Sequence, residues 1–154
     1  MLRSQPLVRE TLYLVGPKDA GLDIERVLPV AALAARALIL TSRPNAMRMI
    51  VERALAAGNH RVVPVLEANS ARLLCEMVAG GLGFTVLPFS AVAESARAGR
   101  VSLAPIEGLS VTWTLVTSRD RGLSLAGHKL RELLAELARR QIASGFWRGV
   151  ELLA

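Results

Sequence analysis

Hydrophobic residues along this chain fall into short blocks with two different spacings, and turn-forming residues close each block. Leu12-Tyr13-Leu14-Val15 is an unbroken apolar run ended by Gly16-Pro17, and Ala37-Leu38-Ile39-Leu40-Thr41 is a second, so both predict buried strands. Between them, Ile24 to Leu33 contains Pro29 and predicts an irregular or short helical connection. From Pro44 to Ala57 the spacing changes: Met47, Ile50, Val51, Ala54 and Leu55 recur as on one face of a helix, with Pro44 suited to its first turn and Gly58 as its stop. Arg61 to Glu67 alternates through Val63 and Val65 as a strand, in which Pro64 marks an edge or a bulge.

Asn69 and Ser70 then offer caps for a helix bearing Leu73, Leu74, Met77 and Val78, which Gly80-Gly81 closes. Gly83 to Pro88 predicts a strand, and Ser90 caps a short alanine-rich helix that ends at Gly99. Val101 to Ile106 and Val111 to Thr117 predict two further strands, the second containing Trp113. Ser124 begins a last helix whose Leu130, Leu133, Leu134 and Leu137 form one stripe, running to about Ile142. Strand alternating with helix gives an α/β class with a mostly parallel sheet.

Composition narrows the function classes. With 154 residues, 52% of them hydrophobic and 21% charged, the chain is neither a disordered tail nor a large multidomain enzyme, and it has room for one ordinary domain or two small lobes. Aromatic residues make up only 4%, which predicts an aliphatic core and argues against stacking platforms for single-stranded nucleic acid. The apolar run Val30 to Ala35 breaks at Arg36, far short of the roughly 18–20 residues of a membrane span. The opening Met1-Leu2-Arg3-Ser4-Gln5-Pro6 lacks a charged region followed by an apolar one, and Cys75 is the single cysteine, so a cytoplasmic location is expected.

The net charge of +6 comes from 19 basic and 13 acidic residues, and 17 of the basic ones are arginine. They are scattered; only Arg119 to Arg148 is locally rich, and it interleaves Asp120, Glu132 and Glu136. A face that binds DNA concentrates its cations on one element, so a solvated basic surface is the simpler expectation.

Catalytic templates are missing. His60, His128 and Cys75 have no metal-ligand spacing, and neither a Gly-x-Ser-x-Gly elbow nor a Gly-x-x-x-x-Gly-Lys-Ser/Thr loop is present, so no metal, cofactor or enzymatic activity is expected. Gly80-Gly81-Leu82-Gly83 follows a helix and precedes a strand, the reverse of a phosphate loop, and reads as a helix stop. Cys75 adjoins an apolar stripe and reads as a buried, inert thiol.

Two polar helix beginnings remain. In Ile39-Leu40-Thr41-Ser42-Arg43-Pro44-Asn45 a buried strand delivers two hydroxyls and an arginine to a helix N-terminus, where free N–H groups and the helix dipole favour an anion. Glu67-Ala68-Asn69-Ser70-Ala71 repeats the arrangement one strand later. Ligands of open α/β sheets bind outside the carboxyl ends of the strands, which makes Thr41, Ser42, Asn69 and Ser70 the candidate ligand-binding residues. Capping alone would also account for Ser42, Asn69 and Ser70.

The order and spacing of these segments carry a family resemblance. Leu12 to Pro17, Leu38 to Asn45, Val65 to Ser70 with Leu73-Leu74, and Val78-Ala79-Gly80-Gly81-Leu82-Gly83-Phe84-Thr85-Val86-Leu87-Pro88 together resemble the effector-binding region of LysR-type transcriptional regulators, above all the branch related to the nitrogen-assimilation regulators. The likeness extends through Trp113-Thr114-Leu115 and Leu130-Arg131-Glu132-Leu133-Leu134.

The resemblance implies a periplasmic-binding-protein-like (type II) fold of two α/β subdomains joined by crossover strands, with the ligand in the cleft between them. Residues 1–27 would close the first subdomain, 28–116 would form the second, and 117–154 would supply the returning crossover strand and C-terminal helix. The family's winged helix-turn-helix, linker helix and opening half of the first subdomain have no counterpart here, so DNA contact is expected only through a domain absent from this sequence. The implied function is sensing of a small, anionic metabolite in a bacterial, oligomeric transcription regulator. Pro44 to Ala57 and Arg61 to Glu67 resemble the family's dimer surface. Alternative readings are a lobe of a soluble solute-binding protein and a small α/β enzyme, although Glu52, Glu67 and Glu76 show no pairing that suggests an acid/base couple.

Overall fold

The computed structural model describes residues 2–118 and 122–153. Arg119 and Asp120, which begin the arginine-rich stretch, lie outside the described residues. The chain groups into two compact units: a central one, Thr11–Leu109, and a terminal one, made of the residues up to Glu10 and those from Ser110 onward. Two long strands, β1 (Leu2–Pro17) and β5 (Val101–Ser118), contribute to both.

The central unit holds strands of two sheets with helices packed on them. Strand β2 (Ile39–Leu40) pairs in parallel with β3 (Leu66–Glu67), and Leu38 bridges in parallel to Phe84 just before β4 (Thr85–Pro88). The remaining pairing of β4 is antiparallel: Leu12 to Val15 of β1 stand opposite Pro88 to Thr85. The expected mostly parallel sheet is therefore corrected: β2 and β3 form a parallel pair of their own, whereas β4 pairs antiparallel with β1. β1 and β4 are separated in the chain by two further strands and two α-helices, so they are not the two strands of one β-helix-β unit, the connection that parallel neighbours need. The expected connection between β1 and β2 contains a one-turn 3-10 helix, Val30–Leu33, and Leu28 bridges to Ile106 of β5.

Helix α1 (Ala46–Ala57) buries Val51 and Leu55, and α2 (Ala71–Ala79) buries Leu74, Cys75 and Val78; each aliphatic side chain so buried is worth about 1.5–3 kcal/mol. Helix α3 (Phe89–Arg97) buries Phe89 and Val92, with Phe89 tilted against Tyr13 at 6.2 Å between ring centres. Four details differ from expectation. Pro44 lies outside α1, whose N-cap is Asn45, and Ser90 lies inside α3, whose N-cap is Pro88 in an extended conformation. Residues 61–65 are irregular, leaving only Leu66 and Glu67 in the strand, as Pro64 removes a ladder donor. Gly81 has φ +80° and fits a helix stop, but Gly83 serves a close approach: a Cβ there would stand 2.5 Å from the carbonyl oxygen of Ala37.

In the terminal unit, Val8 to Glu10 of β1 pair antiparallel with β6 (Val150–Leu152), a short strand with no sequence signal of its own. Helix α4 (Leu125–Ala143) is capped by Ser124 as expected, but it buries only Ala138; Leu130, Leu133 and Leu137 of its stripe are exposed. The two strands expected at 101–106 and 111–117 are one strand, β5, with Gly108 in the left-handed region at φ +66° accommodating the irregularity. Glu10 is fully buried, and both indole nitrogens of the chain donate to it: Trp113 Nε1 to Oε2 and Trp147 Nε1 to Oε1, each at 2.8 Å.

Candidate ligand-binding loops

The two polar loops sit side by side in the central unit because β2 and β3 are parallel neighbours and each leads directly into its helix. Ladder bonds from Val65 N–H to Leu38 O and from Ala68 N–H to Leu40 O put the carboxyl ends of the two strands level. One further bond ties the loops to each other: the Ser42 N–H donates to Asn69 Oδ1 at 2.9 Å.

The four candidate residues divide by role. Ser70 is the N-cap of α2, its Oγ accepting from the Leu73 N–H at 3.3 Å, so the capping explanation holds for it. Asn69 is not a cap; its amide oxygen is the acceptor for Ser42. Ser42 does not cap α1 either, since Asn45 does so by accepting from the Met47 and Arg48 N–H groups. Thr41 differs from the other three: its Oγ1 is buried without a hydrogen-bond partner, one of two such side-chain oxygens among the described residues, the other belonging to Thr85 of β4. An unpaired buried hydroxyl costs about 1–3 kcal/mol, so a polar group that reached Thr41 Oγ1 would be favoured there.

Behind the loops lies a charge network that the sequence did not announce. Arg48 is buried, and its guanidinium donates to Glu52 Oε1 at 2.5 Å, to the Thr41 carbonyl oxygen at 3.0 Å and to Glu67 Oε1 at 3.0 Å. Arg43, the arginine expected to face an anion, instead turns to Glu52, its Nε reaching both carboxylate oxygens at 3.0 and 3.1 Å. Hydrogen bonds from Arg43 and then from Arg48 outweigh partial burial and hold the Glu52 carboxyl below its usual range. The spacing of Arg48 and Glu52, one helical turn apart, was a usable signal. The partnership of Arg48 with Glu67 had none, because 19 positions separate them.

Two cavities lie elsewhere. One of about 180 Å³ in the terminal unit is lined by Leu115, Leu130, Leu134, Arg3 and Arg131, and one of about 250 Å³ in the central unit by Arg72, Cys75, Glu76, Ser95 and Arg100. Neither is lined by the four candidate residues. Cys75 is buried, which pushes its thiol above the usual value, as suits an inert packing residue. Among the described residues no group of three or more His, Cys, Asp or Glu side chains is placed to hold a metal ion, and no helix is long and apolar enough to cross a membrane.

Comparison with known proteins gives a consistent result. Residues 1–139 match the LysR substrate binding domain family. The HTH-type transcriptional regulator BbuR of Bordetella bronchiseptica is 33% identical over 147 residues, covering 94% of this chain and 45% of that protein. The nitrogen assimilation regulatory protein nac of Klebsiella aerogenes is 31% identical over 140 residues, covering 89% and 45%. This chain thus spans about half the length of the curated relatives it matches. Among solved structures, the Synechocystis CcmR regulatory domain in complex with 2-PG superposes with a TM-score of 0.75 at 20% identity, over 88% of this chain and 66% of that one.

Proposed function

This chain belongs to the LysR substrate binding domain family, and on that premise we propose that it senses a small anionic metabolite at the loops bearing Thr41, Ser42, Asn69 and Ser70. One observation carries the assignment to these loops: the buried, unpartnered Thr41 hydroxyl at the carboxyl end of β2, beside the N-termini of α1 and α2. The CcmR regulatory domain was solved with 2-PG, and a small organic anion is the ligand class proposed here. Its relatives are transcriptional regulators, which disfavours both the solute-binding lobe and the enzyme reading.

In this reading residues 1–27 close one subdomain of a two-subdomain effector region, 28–116 form the other and 117–154 return to the first. The chain divides into a central and a terminal unit, as this reading requires, but the changes of unit fall after Glu10 and Leu109, inside β1 and β5, rather than at 27 and 116. The chain works as a homo-oligomer in the cytoplasm, reaches DNA only through a winged-helix domain and catalyses no reaction. Native mass spectrometry of the protein purified from its own cells identifies the co-purifying acid, and calorimetry with that acid tests the site. Thr41→Ala or Ser70→Ala is expected to weaken binding by about 1–3 kcal/mol, the scale of a hydrogen bond to a charged group. Unchanged affinity in both variants removes these residues from the site.

A further inference from the structure

Arg48 is a buried cation that ligand binding, as described above, leaves without a task. Its charge is already answered: Arg43 and Arg48 face Glu52 and Glu67, two cations against two carboxylates, so the cluster offers an incoming anion no net attraction. What it does offer is geometry. The planar guanidinium reaches three segments at once, namely its own helix at Glu52, the end of β2 at the Thr41 carbonyl and the end of β3 at Glu67. Strands β2 and β3 are each only two residues long, Ile39 opposite Leu66 and Leu40 opposite Glu67. So short a ladder fixes the separation of the two loops poorly. Arg48 braces them at their carboxyl ends, beside the Ser42–Asn69 bond that joins them.

We infer that Arg48, acting through Glu67, is the positioning residue of the effector loops: by clamping the Thr41 carbonyl and the Glu67 carboxylate it sets the spacing at which Thr41 and Ser42 meet an anion. The inference rests on the reading of these loops as the anion site. It makes a prediction opposite in sign to that of simple electrostatics. Removing the negative charge of Glu67 near the loops favours an anion by charge alone, whereas loss of the brace disfavours it.

Glu67 is exposed on a short strand, and Glu52 still pairs with Arg48 when Glu67 is replaced, so its variants test this without leaving the buried guanidinium unpaired. Glu67→Met removes both the charge and the acceptor, whereas Glu67→Gln removes the charge and keeps an acceptor oxygen for Arg48. Amide exchange and titration with inorganic phosphate, followed by amide chemical shifts on the full chain, read both consequences. In Glu67→Met the Ser42 amide is expected to exchange about tenfold faster relative to the amides of α2, and phosphate to bind about tenfold more weakly, with Glu67→Gln restoring exchange to near that of the parent. Tighter phosphate binding in Glu67→Met, or Ser42 exchange unchanged there, overturns the inference. If phosphate moves none of the Thr41, Ser42, Asn69 and Ser70 amides in the parent protein, the effector-site reading fails, and the Ser42 exchange comparison still decides whether Arg48 braces the loops.

Discussion

The central and terminal units are built from the same kinds of residue and held by different means. Of the 25 buried hydrophobic side chains among the described residues, only Val8 and Ala138 belong to the terminal unit. The central unit has an aliphatic core of the ordinary kind, with Leu12, Leu14, Ile39, Leu55, Leu74 and Val78 almost fully removed from water. The terminal unit contains the β1–β6 ladder and one buried carboxylate shared by two indoles, while Leu130, Leu133 and Leu137 of α4 stay exposed. A leucine stripe therefore predicts a helix in both units, but stabilises the fold only where a partner surface covers it.

The sharpest way to break this contrast is to make one truncation in each unit. Leu14→Ala in the central core is expected to cost about 2–5 kcal/mol by calorimetric unfolding, because a buried leucine leaves both lost transfer energy and a cavity. Glu10→Ala comes next, at about 1–3 kcal/mol: two indole N–H groups lose their acceptor. Its signature in amide exchange is loosening that stays within the terminal unit. The same leucine-to-alanine change at Leu133, which is half exposed on α4, is expected to stay within about 0.5 kcal/mol. A cost at Leu133 approaching that at Leu14 would mean that α4 is buried in solution, against a second copy or another chain, and light scattering would distinguish the two.

The smallest effect sharpens the picture of the central unit. Glu52 has its carboxyl held below the ordinary value of 4.5, chiefly by Arg43. Its contribution to stability is therefore complete above that value and is lost as the pH falls below it, toward the lowered folded-state value. Glu52→Gln is expected to flatten the acid limb of a stability–pH curve, and an unchanged limb would show that the Arg43–Glu52–Arg48 cluster adds nothing to stability.

Legibility in the sequence followed the range of the interactions involved. Leu12 to Val15 and the faces of α1 and α2 were readable because burial imprints its period on neighbouring residues. The pairing of Val8 to Glu10 of β1 with the three-residue β6 was not, since it joins positions about 140 apart. Local turn chemistry misled at Pro44 and Ser90, where Asn45 and Pro88 occupy the caps. At the candidate site, Ser70 was readable as a cap and the closeness of the two loops followed from parallel strands. The acceptor role of Asn69 and the reach of Arg48 to Glu67 were not, because both are contacts between segments.

The shared acceptor Glu10 also makes the molecule a self-labelled optical sample. The two tryptophans, Trp113 and Trp147, both end on that carboxylate in the terminal unit, and the single tyrosine, Tyr13, lies in the other. Indole emission is consequently a private signal of the terminal unit, whereas far-ultraviolet dichroism sums the helices of both. If the units melt separately, the two signals trace different curves from one unmodified sample.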